Sequence, residues 1–339
     1  MSILKKILPK KRPRLVAVTI VRDEEDIIEP FVRHTAAFVD HHLIADHCSH
    51  DQTPDILLAL QREGLPLSLY RSQNPVYLQP PLTNHLIQRA LNEFDADWIL
   101  PIDGDEFIGP ANPDLDLHSY LESLSPDHPC LRFLVKNYFP HHDDNPTDPN
   151  PATRLRHRTT QPTPPFHKII LHRSLAAEPN TRIGAGNHDY RRGNEHVPDF
   201  AQDELFLAHF PNRSPSQIAG KIALAELGKD AFGSKRKGIG THRTEAFKQL
   251  KADPKSFLAA APVTPDHELT KDPFSYRGGK LTLTPPLDQQ NETRLARLLL
   301  HFSHDIVKRH AELVLKNTDS KNPLYDSDDL MLEDLSENA

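Results

Sequence analysis

Hydrophobic residues change their spacing several times along the first hundred positions. Leu15 to Val21 (LVAVTIV) is a continuous, largely β-branched apolar run, as expected for a strand buried on both faces. It ends at Arg22-Asp23-Glu24-Glu25-Asp26, after which Ile27, Ile28, Phe31, Val32 and Thr35 recur with helical spacing. Pro30 fits only within a first turn, so this helix starts near Ile27 or Ile28. A second strand, His42 to Ala45, ends at Asp46. Thr53 then reads as an N-cap with Pro54 at the first helical position, and the helix runs through Leu60 to a stop at Gly64. A third strand, Leu65 to Tyr70, precedes a polar loop and a helix from about Thr83 to Phe94. The fourth strand leads through Trp98-Ile99-Leu100-Pro101-Ile102 to Asp103. This alternation predicts a parallel sheet with covering helices. No GxGxxG follows the first strand, which counts against a dinucleotide site.

After Gly109 the rhythm changes. The pattern predicts a helix over Leu117 to Leu124, a strand over Leu131 to Phe139, and a long surface loop over the proline-rich His141 to Pro165. Further strands are expected at His167 to Leu171 and Leu205 to Phe210. Ser214-Pro215-Ser216-Gln217 carries an N-cap, a first-turn proline and a capping-box glutamine, and opens a helix through Ile218, Ile222, Leu224 and Leu227. A last helix spans about Thr293 to Lys316, with Leu295, Leu298, Leu299, Phe302, Ile306, Leu313 and Leu315 as candidate buried positions. The acidic stretch Asp326 to Ala339 is expected to be disordered. The resulting division is a basic tail (1–13), an α/β domain (14–230), a mainly helical extension (231–325) and an acidic tail (326–339).

Composition narrows the function classes. A formal net charge of -7 excludes a general nucleic-acid binder, because no global positive field would recruit phosphate backbones. The two cysteines, Cys48 and Cys130, lack zinc-ligand spacing and fit a reducing, cytoplasmic setting. No stretch approaches the roughly 20 apolar residues that span a bilayer. The N-terminal Lys5, Lys6, Lys10, Lys11, Arg12 and Arg14 are interrupted by Pro9 and Pro13, and do not read as a secretory signal. They read as a solvated tail or a peripheral contact with an anionic membrane.

Candidate chemistry gathers at strand ends. Asp103-Gly104-Asp105-Glu106 follows the fourth strand, and reads either as an acidic turn or as an oxygen-rich site for Mg²⁺ or Mn²⁺. Gly104 is expected to let the chain turn so that both aspartates face one ion. Asp23 and Glu24 end the first strand and Asp46 the second, so a parallel sheet would bring all these acids to one edge, where open α/β sheets place ligands. A nucleoside diphosphate fits such an edge, with Asp46 or Asp23 on the base or ribose and the ion on the diphosphate.

Three segments in order resemble family 2-like glycosyltransferases of the GT-A fold. Val18-Thr19-Ile20-Val21-Arg22-Asp23-Glu24-Glu25-Asp26 is similar to their opening strand and Arg-Asn-Glu turn. Asp46-His47-Cys48-Ser49-His50-Asp51-Gln52-Thr53 resembles their Asp-Asn-Gly-Ser-Thr-Asp-Gly-Thr segment, with Cys48 and Gln52 where glycines are usual. Trp98 to Phe107 resembles their Trp-(apolar)-Asp-x-Asp-Glu-Phe segment. The resemblance implies an α/β Rossmann-type mixed sheet, mainly parallel in its N-terminal half and flanked by helices, with a helical C-terminal extension. It implies a metal-dependent transferase that moves a sugar from a nucleotide-diphosphate sugar, a UDP-sugar first, to a hydroxyl of a carbohydrate or glycolipid acceptor, with inversion. Arg22, Glu24, Asp46 and Asp103 would bind the nucleotide sugar, and Asp103, Asp105 and His209 would hold Mn²⁺ or Mg²⁺. His188 is a second candidate ligand, and Lys168, Arg182 or Arg191 would face the diphosphate. Asp189 is the candidate base, with Glu195 or Glu204 behind it, and Glu106 either braces the turn or faces the acceptor. Such families act in bacterial surface polysaccharide or lipopolysaccharide synthesis.

Two other classes fit the residues. A metal-dependent phosphohydrolase would combine the same acids with His141, His142, Asp143 and Asp144. A non-catalytic domain of the same fold would bind a carbohydrate or a partner protein.

Overall fold

A computed structural model describes residues 12–75, 79–124, 127–160, 167–231, 241–259, 268–286, 292–316 and 332–338. The opening half runs β1 (Leu15–Val21), α1 (Ile28–Thr35), β2 (His41–His47), α2 (Thr53–Arg62), β3 (Leu67–Ser72), α3 (Gln79–Glu93) and β4 (Trp98–Pro101). Next come β5 (Glu106–Pro110), α4 (Leu117–Ser123), β6 (Cys130–Phe139), α5 (Pro151–Arg154), β7 (His157–Thr159), β8 (His167–His172) and α6 (Arg173–Ala176). A small three-stranded sheet is formed by β9 (Thr181–Ile183), β10 (Tyr190–Arg192) and β11 (Glu195–His196). The rest comprises β12 (Phe200–His209), α7 (Pro215–Ala231), α8 (Thr241–Ala252), α9 (Pro254–Ala259), β13 (Leu269–Lys271), α10 (Glu292–Lys316) and β14 (Leu332–Asp334).

The protein is mixed α/β. Its large sheet has the order β13-β7-β6-β8-β4-β1-β2-β3-β14, with β12 joining β6 to β5. β3, β2, β1 and β4 are parallel, as the strand–helix alternation requires, whereas β8 runs antiparallel to both β4 and β6. Alternate residues of β1 enter opposite layers. Leu15, Ala17 and Val21 pack with Phe31 and Leu60, while Val16 and Val18 pack with Leu86 and Ala90 of α3. The continuous apolar run is thus a strand covered on both faces.

Four expectations change in the structure. Thr53 is the first residue of α2 rather than its cap, because its hydroxyl accepts the backbone N–H of Glu24 at 2.8 Å. The 141–165 segment is only partly loop: Asn150 caps α5 at the Ala152 N–H, Ala152 and Leu155 are buried, and the chain continues into β7. The acidic C-terminal stretch contains β14, antiparallel to β3, and anchors Leu335 in the core at 5% exposure. Residues 326–331 and 339, like 1–11, lie outside the described residues. Nor is the C-terminal extension separate. β13 pairs with β7, Phe274 enters the main core, and the backbone N–H groups of Thr282, Leu283 and Thr284 all donate to buried Glu29.

Candidate functional site: a carboxylate–cation cluster at the sheet edge

The register explains why the acids meet. Val21 lies level with Asp46, and Val18 with Pro101, so the residues after β1, β2 and β4 emerge at one edge of the sheet. The turns there are stitched together. The Asp23 N–H donates to Ser49 Oγ (2.9 Å), the His50 N–H to Asp23 Oδ1 (2.7 Å), and the Gln52 N–H to Glu25 Oε2 (2.9 Å). Asp23 and Cys48 hold left-handed backbone, φ 56° and 57°, at these two turns. Cys48 therefore keeps the turn conformation that glycine would adopt more easily.

The Asp103–Glu106 turn is braced from within. The Asp103 N–H donates to Glu106 Oε2 at 3.2 Å, so Glu106 serves first as a turn brace. Gly104 does not need a left-handed backbone. A Cβ there would lie 3.0 Å from Val21 Cγ1, so a side chain at this position would crowd β1.

Each carboxylate has a cation. Lys168 of β8 is 2% exposed, and its ammonium lies 2.6 Å from Asp103 Oδ2, 3.0 Å from Glu106 Oε1 and 2.6 Å from the Gly186 carbonyl. Three acceptors thus match its three N–H donors. Burial raises Glu106 to about 7, against the pull of Lys168. Asn187 Nδ2 donates to the other Asp103 oxygen at 2.9 Å, and is itself fixed by Gln79. Asp105 sits on the opposite side of Gly104, with Lys221 Nζ at 2.8 Å, His209 Nε2 at 3.5 Å and an Arg213 nitrogen at 3.8 Å. Burial works to raise Asp105, but Lys221 and His209 override it and hold the carboxyl well below its usual value.

Arg213 is the buried hub behind this edge. It grips Asp26 through two nitrogens at 2.7 and 2.9 Å, and also donates to Glu24 and to the Phe210 carbonyl. Burial nevertheless raises Glu24 above its ordinary value. Sequence reading missed Arg213, Lys221, Asn187 and Gln79. The available signal was position: Arg213 directly precedes the Ser214 helix start, and Lys221 interrupts the apolar face of α7.

The structure brings Glu24, Asp103, Asp105, Glu106, Lys168 and His209 together. Others have different partners. Asp46 is fully buried, 3.3 Å from Arg71 Nε, and its carboxyl is raised by burial against Ser49 and Arg71. Arg22 donates to the Pro75 carbonyl and lies 4.8 Å from the Phe302 ring of α10. That helix also places Asp305 on His50 (2.8 Å) and Arg297 on Glu25 (3.3 Å), so it packs across the first two turns. Asp189 belongs to the small sheet, where it pairs with Arg191 and His196, each at 2.8 Å. His188 donates to the His167 carbonyl through Nδ1, at 2.7 Å. Glu195 and Glu204 are exposed.

As a metal centre the cluster fits in part. Asn137 accepts a 2.7 Å hydrogen bond from His209 Nδ1, which fixes the ring and leaves Nε2 facing Asp105, the usual outer support of a ligating histidine. Asp103 is held apart by Lys168 and Asn187. Among the described residues, the Asp103, Asp105 and His209 ligand atoms do not gather within 4.8 Å of one another.

No protein-family model matches the chain, and no curated protein matches it. Among solved structures, a mycobacterial protein is 14% identical, with 64% of this chain and 74% of its own covered at a TM-score of 0.29. A glycosyltransferase involved in the glycosylation of the major capsid of PBCV-1 is 13% identical over 49% of this chain and 62% of its own, at 0.22. A mannose-1-phosphate geranyltransferase from Thermus thermophilus is 15% identical over 85% of this chain and 79% of its own, at 0.25. At such TM-scores the likenesses carry no argument about activity, and the chemistry rests on this chain's own residues.

Proposed function

We propose that the protein is a glycosyltransferase that moves a sugar from a nucleotide-diphosphate sugar to a hydroxyl of a carbohydrate or glycolipid. One observation carries this reading: the carboxylates Asp103 and Asp105 sit at the carboxyl edge of the parallel strands, flanked by the ammonium groups of Lys168 and Lys221. Glycosyl transfer needs stabilisation of the leaving diphosphate, and fixed cations in a partly dry cleft supply it without reorganisation. Lys221, paired with Asp105 but 38% exposed, is proposed to shift onto a phosphate oxygen; Lys168, at 3%, holds the Asp103 turn in place.

Mn²⁺ or Mg²⁺ is proposed to bind Asp105 and His209, with Asp103 joining directly or through water. When bound, it would act as a Lewis acid on the leaving diphosphate. Asp46 and Arg71 are proposed to meet the nucleoside, with Arg22 and Glu24 bounding the same cleft. Asp189 is proposed as the base that takes the acceptor proton during a single inverting displacement. A UDP-sugar donor, a role in bacterial surface polysaccharide synthesis and a cytoplasmic location complete the proposal. No described helix is long and apolar enough to cross a membrane.

The test is calorimetry with UDP and Mn²⁺ on the wild type and an Asp103→Asn/Asp105→Asn double variant, followed by turnover of UDP-, GDP-, CMP- and dTDP-sugars. Metal-dependent UDP binding that the double variant loses supports the reading. Binding that ignores both the metal and the substitutions overturns the metal assignment. A folded enzyme that turns over no donor overturns the activity.

A further inference from the structure

The His141-His142-Asp143-Asp144 run, which no part of the proposed transfer uses, meets a third residue in the fold. Phe139 at the end of β6 pairs with His157 of β7, so the chain leaves and re-enters the sheet side by side. That closure brings His141, Asp143 and His157 together, with one ligand-type atom from each within 4.8 Å of the others. Asp143 Oδ1 lies 2.6 Å from His141 Nδ1 and 3.4 Å from His157 Nδ1. The two imidazoles stack with centroids 3.7 Å apart.

A second observation points to a ligand. His157 is 6% exposed, and its Nδ1 has no hydrogen-bond partner although it faces Asp143 Oδ1. A buried ring nitrogen left unpaired costs free energy that a bound cation would recover. The spacing is also right. Ligands about 2.0–2.1 Å from a tetrahedral Zn²⁺ stand about 3.3 Å from one another, which His157 and Asp143 already satisfy. Opening the His141–Asp143 contact by roughly 1 Å or less would admit the ion.

We propose that His141 Nδ1, His157 Nδ1 and Asp143 Oδ1 form a Zn²⁺-type transition-metal site, with water in the fourth position. Two imidazoles and one carboxylate suit Zn²⁺, Co²⁺ or Ni²⁺, whereas Mg²⁺ and Ca²⁺ prefer all-oxygen shells. Lys271 approaches the other oxygen of Asp143 at 3.3 Å and is half exposed, so it leaves Oδ1 to the metal. The ion would clasp the 141–156 segment to β7. That segment reaches the candidate active site, because Arg154 donates to the Arg213 backbone carbonyl at 3.2 Å. The clasp is separate from the Asp103–Asp105 cluster and stands whether or not sugar transfer is the activity.

The experiment is Co²⁺ titration of the tag-free full chain, read by visible absorption and by Zn²⁺ competition. The expected result is one Co²⁺ per chain with four- or five-coordinate d–d bands that Zn²⁺ abolishes. His157→Gln and Asp143→Asn should each weaken Zn²⁺ binding by at least about tenfold. Asp103→Asn/Asp105→Asn should leave the bands in place. Asp143 is exposed, so its variant remains informative if His157→Gln fails to fold. Absence of d–d bands in the wild type, or bands unchanged in Asp143→Asn, would overturn the proposal.

Discussion

Lys168→Met is the substitution that probes the candidate site most directly. It keeps the length of the side chain and removes the charge that Asp103 and Glu106 share. Glu106 is 2% exposed and cannot turn to water, whereas the Asp103 side chain is about one-third exposed and can. Removing one partner of a buried ion pair costs about 3–5 kcal/mol, a large part of the roughly 5–15 kcal/mol that holds a domain folded. The loss has a pH signature. Glu106 titrates at about 7 in the fold and at 4.5 in the unfolded chain. An acid raised in this way destabilises the fold above its folded pKa and ceases to do so as the pH falls and it takes up a proton. Without Lys168 that pKa climbs further. The variant should therefore lose about 3–5 kcal/mol at pH 8.5 and at least about 1.4 kcal/mol less at pH 6. Urea denaturation at both pH values measures the difference. Adding Glu106→Gln to Lys168→Met should recover about 1–3 kcal/mol at pH 8.5 and flatten the profile. A loss that is the same at both pH values, or that Glu106→Gln fails to relieve, would mean that Lys168 does not act through Glu106.

Further substitutions test other parts of the fold. Arg213→Met leaves Asp26 and Glu24 without their shared guanidinium, and should cost about 3–5 kcal/mol in denaturant unfolding at pH 7. Glu29 is held below its ordinary value: burial opposes this, but the N–H and hydroxyl groups of 282–284 and Arg33 prevail. Its contribution is full above pH 4.5 and lost as the pH falls through the folded value, so Glu29→Gln should cost about 1.5–3 kcal/mol at pH 7 and progressively less in acid. Gly109→Ala would drive a Cβ to 2.4 Å from the Phe206 ring, and should cost about 1–3 kcal/mol by overpacking. Gly184→Ala would place a Cβ 1.6 Å from Asp189 Oδ1 and force that carboxylate aside. If Asp189 is the base, this variant should lose kcat as Asp189→Asn does while keeping UDP affinity; unchanged kcat would remove Asp189 from the mechanism.

Much of the first half was legible in the sequence because each local signal agreed with its tertiary setting. The apolar runs before Asp23, Asp46 and Asp103 became adjacent parallel strands, and strand-end position alone placed those acids on one edge. The failures share a cause: a long-range partner overrode a local rule. Thr53 looks like a cap, but Glu24 claims its hydroxyl from another turn. The acidic end reads as solvated, yet Leu332 and Leu335 pack on the core and β14 pairs with the edge of β3. Proline hid α5 and β7 within an apparent loop, although Asn150-Pro151 is itself a helix-start signature.

The cations were the least legible part of the site, and they alter what the acids can do. Among the described residues, Glu24, Asp26, Asp103, Asp105 and Glu106 face the full charges of Lys168, Arg213, Lys221 and, near Asp26, Arg154, with His209 beside Asp105. With its acids ionised, the cluster remains negative and would repel a bare diphosphate at short range. On the proposed function, a divalent ion arriving with the diphosphate would reverse that sign and would let Lys221 exchange Asp105 for a phosphate oxygen. The order of affinities follows from this charge balance. UDP in EDTA should bind at least about tenfold more weakly than UDP with Mn²⁺, and Lys221→Met should weaken the metal-loaded complex while leaving the fold intact. Equal affinity with and without metal would assign the leaving-group charge to Lys168 and Lys221 alone.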